Sequence, residues 1–292
     1  MELKAMRTRV RSIIREPREN FVTDDELNDW INDQSFEATK DLNYPWQEQI
    51  LHGIEEQADY DYASDFVRLH PLLDVFFNKK KLHKLGAKWL ESQCPDYQTT
   101  DGVDQPSNYY TRFRDKLSLY PPPKLQAEGT ATVGSATSTL VDSSADFSED
   151  YIGHSIRNIT DGSNGLITAV ASTTSLTAVL TGGTSDVWAV NDTYKINRAG
   201  TVPYVYKETV MTDEDDKNES IIAAEFPYVI IYRVAVIAYL KANQAESAAM
   251  IQTRSKRYDD LYGIEFTRAK RQVNQQVRGY MGRTVAPELQ RH

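Results

Sequence analysis

Cysteine is almost missing from this chain: Cys94 is the only one in 292 residues. A single thiol excludes an internal disulfide and any cysteine-cluster metal site. Nothing around Cys94 marks a catalytic thiol, so a buried, inert side chain is expected. Long apolar runs are missing too. The longest, residues 226–240, is shorter than the roughly 20 residues a membrane span needs and carries Arg233 in its middle, which suits a buried helix. The first residues, Met1-Glu-Leu-Lys, are charged and form no apolar secretory segment. Synthesis in the cytoplasm is therefore expected, with Asn158, Asn191 and Asn218 as chance glycosylation sequons. Positive charge is scarce: 33 Lys and Arg stand against 42 Asp and Glu, a net charge of −9. That balance argues against a chain that binds nucleic acid through a basic surface as a whole.

Catalytic signatures are absent as well. There is no phosphate-cradling loop, no dinucleotide fingerprint, no His-Glu-x-x-His and no nucleophile elbow. His52, His70, His83, His154 and His292 are scattered without ligand spacing. Asp59 and Asp61 share one face of a possible strand, but acid–base work needs a pocket, and a solvated edge is the simpler reading. The acidic run at residues 213–219 lacks the glycine and spacing of a calcium loop. No enzyme activity, metal or cofactor is expected.

What is present is an interruption. Residues 127–200 are rich in Thr, Ser, Gly, Ala and Val, almost free of Lys and Arg, and punctuated by Asp161-Gly162 and Gly182-Gly183 turns. Short strands are expected at 129–133, 151–159, 165–170, 175–180 and 193–197, with Phe147 and Trp188 in their core. Residues 116–123 and 202–210 on either side read as adjacent strands of one hairpin, the kind of exposed tip that tolerates a domain insertion. The expected fold is α+β. A helical host domain with a small antiparallel sheet occupies 1–126 and 201–281, an inserted all-β barrel or sandwich occupies 127–200, and a flexible tail occupies 282–292.

Within the host, Leu3, Met6, Val10, Ile13 and Ile14 mark one face of a first helix that Pro17 ends. Thr23 and Glu26 form a capping box for a second, with Leu27, Trp30, Ile31, Ala38 and Leu42 along one stripe. Residues 50–125 turn to strands, including pairing of 72–77 with 81–85 across Asn78, Lys79 and Lys80, a short helix near Lys88, and a tyrosine-rich hairpin from Tyr109 to Tyr120. The last third is helical again: an apolar helix at 225–243, then a long one at 245–281 with a kink or break expected near Gly263. Ile251, Tyr258, Tyr262, Phe266, Ala269, Val273, Val277 and Tyr280 recur along it at steps of three, four and seven. Its other face carries Arg254, Lys256, Arg257, Arg268, Lys270, Arg271 and Arg278. A helix docked on a negatively charged protein is the simpler account of that pattern; contact with nucleic-acid backbone is the alternative.

The order of these elements resembles the head-to-tail adaptor (connector, or neck) proteins of tailed phages. The resemblance rests on Thr23-Asp-Asp-Glu-Leu-Asn-Asp-Trp-Ile-Asn-Asp33, Ala63-Ser-Asp-Phe-Val-Arg-Leu69, residues 109–123 and the helix opening at Phe226-Pro-Tyr-Val. It implies a virion structural protein, assembled in the host cytoplasm, that docks beneath the portal protein as a ring, dodecameric in the virion. Such a ring extends the DNA channel with passive contact to DNA during ejection and presents a surface to the next tail protein. It also implies a C-terminal segment that reaches the portal and orders on docking. Here that segment assigns portal contact to Ile251, Arg254, Arg257, Tyr258, Tyr262, Phe266, Arg268, Lys270, Arg271, Val273, Val277, Arg278 and Tyr280. The overall acidity suits a channel lining that does not retain phosphate. The inserted segment, through Ser138-Thr-Leu-Val-Asp-Ser-Ser-Ala-Asp-Phe147, resembles small β-modules of phage structural proteins. A peripheral decoration is expected there, or a carbohydrate site with Tyr151 or Trp188 as an exposed stacking ring. The alternatives for the whole chain are a DNA-binding or packaging accessory using the basic helix, and another tail or baseplate protein.

Overall fold

Residues 1–15, 22–86, 88–89, 92, 107–113, 115–134, 138–212, 220–242 and 248–285 are described by a computed structural model, without the side chains of 113, 242, 248–251 and 282–285. Cys94, Pro17, the acidic run at 213–219 and most of the short helix expected near Lys88 lie outside the described residues. In chain order come α1 (Leu3–Ile14), α2 (Asp24–Leu42), β1 (Trp46–His52), β2 (Asp59–Asp61), β3 (Phe66–Leu69), β4 (Phe76–Phe77), β5 (Lys80–Lys81) and β6 (His83–Lys84). Then follow β7 (Tyr109–Phe113), β8 (Lys116–Tyr120), β9 (Leu125–Thr130), β10 (Thr139–Val141), β11 (Ser155–Asn158), β12 (Asn164–Ser172), β13 (Ser175–Thr181), β14 (Thr193–Asn197) and β15 (Ala199–Tyr206). Three helices close the chain: α3 (Ile221–Glu225), α4 (Pro227–Ala242) and α5 (Ala248–Val285). No described helix is long and apolar enough to cross a membrane.

The chain divides into two units, the first made of Met1–Gln47, Asp65–Leu73 and Tyr204–His292 and the second of Glu48–Ser64 and Asp74–Pro203. The first is helical. Met6, Val10, Leu27, Ile31, Ile231, Val234 and Val277 meet in its core with essentially no exposure, each supplied by the apolar stripe of its helix. Glu26 N–H donates to Thr23 Oγ1 at 3.2 Å while Thr23 N–H donates to Glu26 Oε2 at 3.1 Å, closing the capping box that starts α2. Arg11 Nε donates to Asp24 Oδ1 at 3.0 Å, so the buried guanidinium of α1 is neutralised by the first turn of α2. β3 pairs antiparallel with the end of β15, Leu69 opposite Tyr204.

The second unit is built of sheet. Six strands follow the order β10-β13-β12-β11-β14-β9, all antiparallel. Past the end of β9, Thr132 N–H donates to Val141 O at 2.8 Å and Val133 bridges Val141, so the two outer strands meet. Leu140, Ile156, Ile167, Leu176, Trp188, Tyr194 and Ile196 fill the interior. Two buried carboxylates there are paired: Tyr194 O–H donates to Asp142 at 2.8 Å, and Asn158 Nδ2 donates to Asp192 at 2.7 Å. A separate four-stranded sheet runs β2-β8-β7-β6.

Three expectations change. The strands flanking the Ser/Thr-rich segment do not form one hairpin, because β8 and β15 lie in different sheets. Both edges of β8 are already taken, by β7 and β2, and the prolines after it have no N–H to extend a ladder. β10 was not expected; three residues are too few to show alternation. Gly263 does not break α5, which runs through it and through Gly279 for 38 residues to Val285. A helical glycine costs about 1 kcal/mol, less than the burial of Ala269, Val273 and Val277 along the same helix returns.

Candidate functional site

The long C-terminal helix has two faces with different tasks. Its inner face packs on α4 and joins the core of the first unit through Ala269, Val273 and Val277, all at most 2% exposed. Aromatic rings continue that contact. Tyr258 stacks on Tyr239 at 5.6 Å and lies 6.1 Å from Tyr232, and Tyr262 lies 5.6 Å from Phe266. Tyr239 O–H donates to Ile13 O at 2.8 Å, tying α4 to the end of α1. Arg233 sits over the Tyr262 ring at 5.4 Å and pairs with Asp259 at 3.3 Å. Burial raises the pKa of the Tyr232, Tyr239 and Tyr262 hydroxyls, so all three are neutral donors at any physiological pH. Towards the end of the helix, Tyr280 meets Trp46 edge-on at 4.8 Å, and Trp46 in turn lies 5.7 Å from His70. Leu72 N–H donates to His70 Nδ1, and burial, with Arg68 beside it, brings the imidazole down to about 4.

The outer face is basic. Arg257, Arg268, Lys270, Arg271 and Arg278 are exposed and Arg254 is half-buried. Arg268 lies 4.0 Å from Glu265, a spacing worth a few tenths of a kcal/mol on an exposed helix. The exposed surface of this face runs along α5 through Asp260, Ile264, Arg268 and Arg271. Ile264, 63% exposed, is the residue of this face that periodicity missed: it stands off the apolar stripe and reads as an isolated hydrophobe.

The residues assigned to partner contact therefore separate into two sets. Tyr258, Tyr262, Phe266, Val273, Val277 and Tyr280 rest on the chain's own helical core, whereas Arg257, Arg268, Lys270, Arg271 and Arg278 face outwards. The Ile251 side chain lies outside the described residues. The helix was expected to take its order from a partner; instead it is formed on its own chain, because its apolar stripe already has a buried surface to cover.

In the β-rich unit, Trp188 is 1% exposed and meets Tyr194 edge-on at 6.3 Å. It is a core ring and cannot serve as an exposed stacking platform: a module this small needs its largest aromatic for its interior. Tyr151 is half-buried between Phe147 and His154. Among the described residues, no group of three His, Cys, Asp or Glu is placed to hold a metal ion.

No curated protein matches the chain. A model of the SU10 adaptor protein family matches residues 1–161, more than half of the 292. The match takes in the capped helix α2, the strands β1 to β8 that follow it and the first strands of the Ser/Thr-rich segment. This chain accordingly belongs to the SU10 adaptor protein family, whose members are phage head-to-tail adaptors.

Proposed function

We propose that the protein is a virion neck component that docks beneath the portal as a ring, dodecameric in the virion. The ring would extend the DNA channel and give the tail its attachment surface. The observation that carries this reading is the family match over residues 1–161. A mechanical rather than catalytic role follows from it.

The outer face of α5 supplies the proposed portal contact, through Arg254, Arg257, Arg268, Lys270, Arg271 and Arg278. Supporting this, the face is presented by a helix already held by its own core, so no backbone ordering entropy is lost when a partner binds it. Tyr258, Tyr262, Phe266, Val273, Val277 and Tyr280 then serve the contact indirectly, by fixing which way the basic row points. The six-stranded sheet is proposed to be a closed barrel, and residues 127–200 a peripheral module that touches neighbouring virion proteins. The burial of Trp188 favours that role over carbohydrate binding.

Electron microscopy of the purified protein, alone and mixed with its cognate portal, tests the reading. Rings on the portal, lost when Arg268 and Arg271 are replaced by Glu, are expected. No association with the portal overturns it and turns attention to duplex DNA and to other tail or baseplate proteins.

A further inference from the structure

The strongest positive patch outside the long helix lies on a hairpin that the adaptor reading leaves without a task. Residues 75–90 contain Lys79, Lys80, Lys81, His83, Lys84 and Lys88 and not one Asp or Glu, in a chain whose net charge is −9. All six side chains are exposed. Lys81 pairs with Asp74 at 2.8 Å; Lys79, Lys80, Lys84 and Lys88 have no ion pair among the described residues. The positive field extends past the turn: burial, then Arg198 and Lys79, hold the His154 imidazole below its ordinary pKa.

Lysines on an edge strand have a simpler use, since charge keeps an open sheet edge from pairing with another chain. β5 is such an edge, and that accounts for Lys80 and Lys81. It does not account for Lys79. β4 and β5 are joined by two residues, Asn78 at φ 51° and Lys79 at φ 60°, so both central positions of the turn are left-handed. Glycine is the preferred residue at the second of these, and a lysine held there is strained. The strain holds an exposed lysine in the turn itself. Lys84 lies on β6, the edge of the four-stranded sheet, where the same use accounts for it; Lys88 lies on none of the described strands, and edge protection does not explain it.

We infer that the Asn78–Lys79 hairpin and the lysines after it form a contact for the phosphate backbone of duplex DNA, independent of base sequence. Exposed lysines carrying unpaired charge suit a polyanion with regularly spaced phosphates, where each neutralised phosphate releases counterions. The proposal does not depend on portal docking.

Binding of the full-length protein to a labelled duplex of arbitrary sequence, followed by anisotropy from about 50 to about 200 mM salt, tests it. Four unpaired lysines predict a log–log slope between about −3 and −4. Replacing Lys79, Lys80 and Lys84 together by Gln is expected to remove about 2.7 from that slope and to weaken binding at least tenfold at the lowest salt. Replacing Arg268 and Arg271 by Gln should leave the slope unchanged. A further variant separates contact from structure: Lys79→Gly relieves the left-handed strain, so its thermal midpoint should rise while the slope loses about 0.9. The inference fails if the native protein shows no salt-dependent binding, if the triple variant keeps the native slope, or if the helix variant abolishes it. Salt-sensitive self-association lost in the triple variant, without DNA binding, would assign the hairpin to an acidic face of a second copy and overturn the proposal equally.

Discussion

The core of the helical unit is closed mostly by aliphatic side chains drawn from five helices, whereas that of the β-rich unit is closed around Trp188, Tyr194 and Phe147 with carboxylates buried beside them. The difference lies in how each core is specified. In the first, Val10, Leu27, Ile231 and Val277 need only be apolar and correctly spaced on their helices. In the second, Asp142 must meet the Tyr194 hydroxyl and the Ser144 N–H and Oγ–H, at 2.8, 2.9 and 2.7 Å, or a buried carboxylate is left without partners. One core is set by periodicity and the other by a few obligatory pairs. The first tolerates volume-conserving exchange better, and the second is more sensitive to single polar changes.

The comparison is most directly broken at the two centres. Val277→Asp places a charge where no partner exists and should cost the helical unit about 5 kcal/mol. Trp188→Ala should cost the β-rich unit about 4 kcal/mol through lost burial and the cavity left behind. Residue-resolved hydrogen exchange reads each loss separately: protection should fall in α4 for the first variant and in β12 and β13 for the second. If either substitution lowers protection equally in both units, they melt together and the contrast between their cores has no thermodynamic meaning.

That contrast also explains which parts of the structure were legible in the sequence. Helices α1, α2 and α5 follow from 3.6-residue spacing and from the Thr23 cap, and α4 from its apolar run, because these signals lie within a few residues of one another. The basic row of α5 was legible for the same reason. The helix's own core, waiting for the apolar stripe, was not, because periodicity shows that a face is covered and not by what. In the β-rich unit the turns were legible and the partners were not. β8 and β15 look like neighbours along the chain, yet their pairing was decided by β7, β2, β3 and β4 competing for the same edges. Lys79 likewise read as an ordinary turn residue; only the sign of its φ sets it apart.

Acid should sharpen the contrast, with a somewhat smaller effect. His70 is held neutral in the folded helical unit, its pKa brought from 6.5 to about 4, chiefly by burial. A base whose pKa is lowered by folding takes up its proton more readily when unfolded. Its stabilisation is therefore complete above pH 6.5, erodes as the pH falls below that value, and is fully lost once the pH passes about 4. The total is about 3 kcal/mol. His70→Gln should flatten this slope in the helical unit and leave untouched that of the β-rich unit, where burial lowers His52 and His154 in the same direction. Urea titrations from pH 7 to pH 4.5, read by exchange in α4 and in β12, decide it. An unchanged slope in α4 would mean that His70 opens to water before the unit unfolds.

The smallest expected effect concerns how each unit ends its elements. In α2 the cap is local: Thr23 and Glu26 exchange hydrogen bonds three residues apart, and the Glu26 carboxylate is held below its ordinary pKa, first by its bond to Lys241 and then by the Thr23 N–H. In the β-rich unit the corresponding device is long-range. Asp161 accepts N–H bonds from Thr184, Ser185 and Asp186, and its pKa falls to about 2 through its hydrogen bonds, that from Ser163 foremost. Thr23→Ala should therefore cost about 1 kcal/mol, confined to the helical unit, and Thr23→Asp should recover most of it, since an aspartate caps as well and favours the positive end of the helix. Asp161→Asn keeps the shape of the side chain but removes its charge and turns one of its two acceptor oxygens into an NH2 donor, so the N–H groups of Thr184 and Ser185, bound at one oxygen, and of Asp186, bound at the other, can no longer all be satisfied. Exchange at Thr184, Ser185 and Asp186 should accelerate, with no change in α2. If the local cap proved as costly to remove as the distant one, the rule that helices here are specified by neighbours and sheets by distant partners would fail at the position where it is simplest to apply.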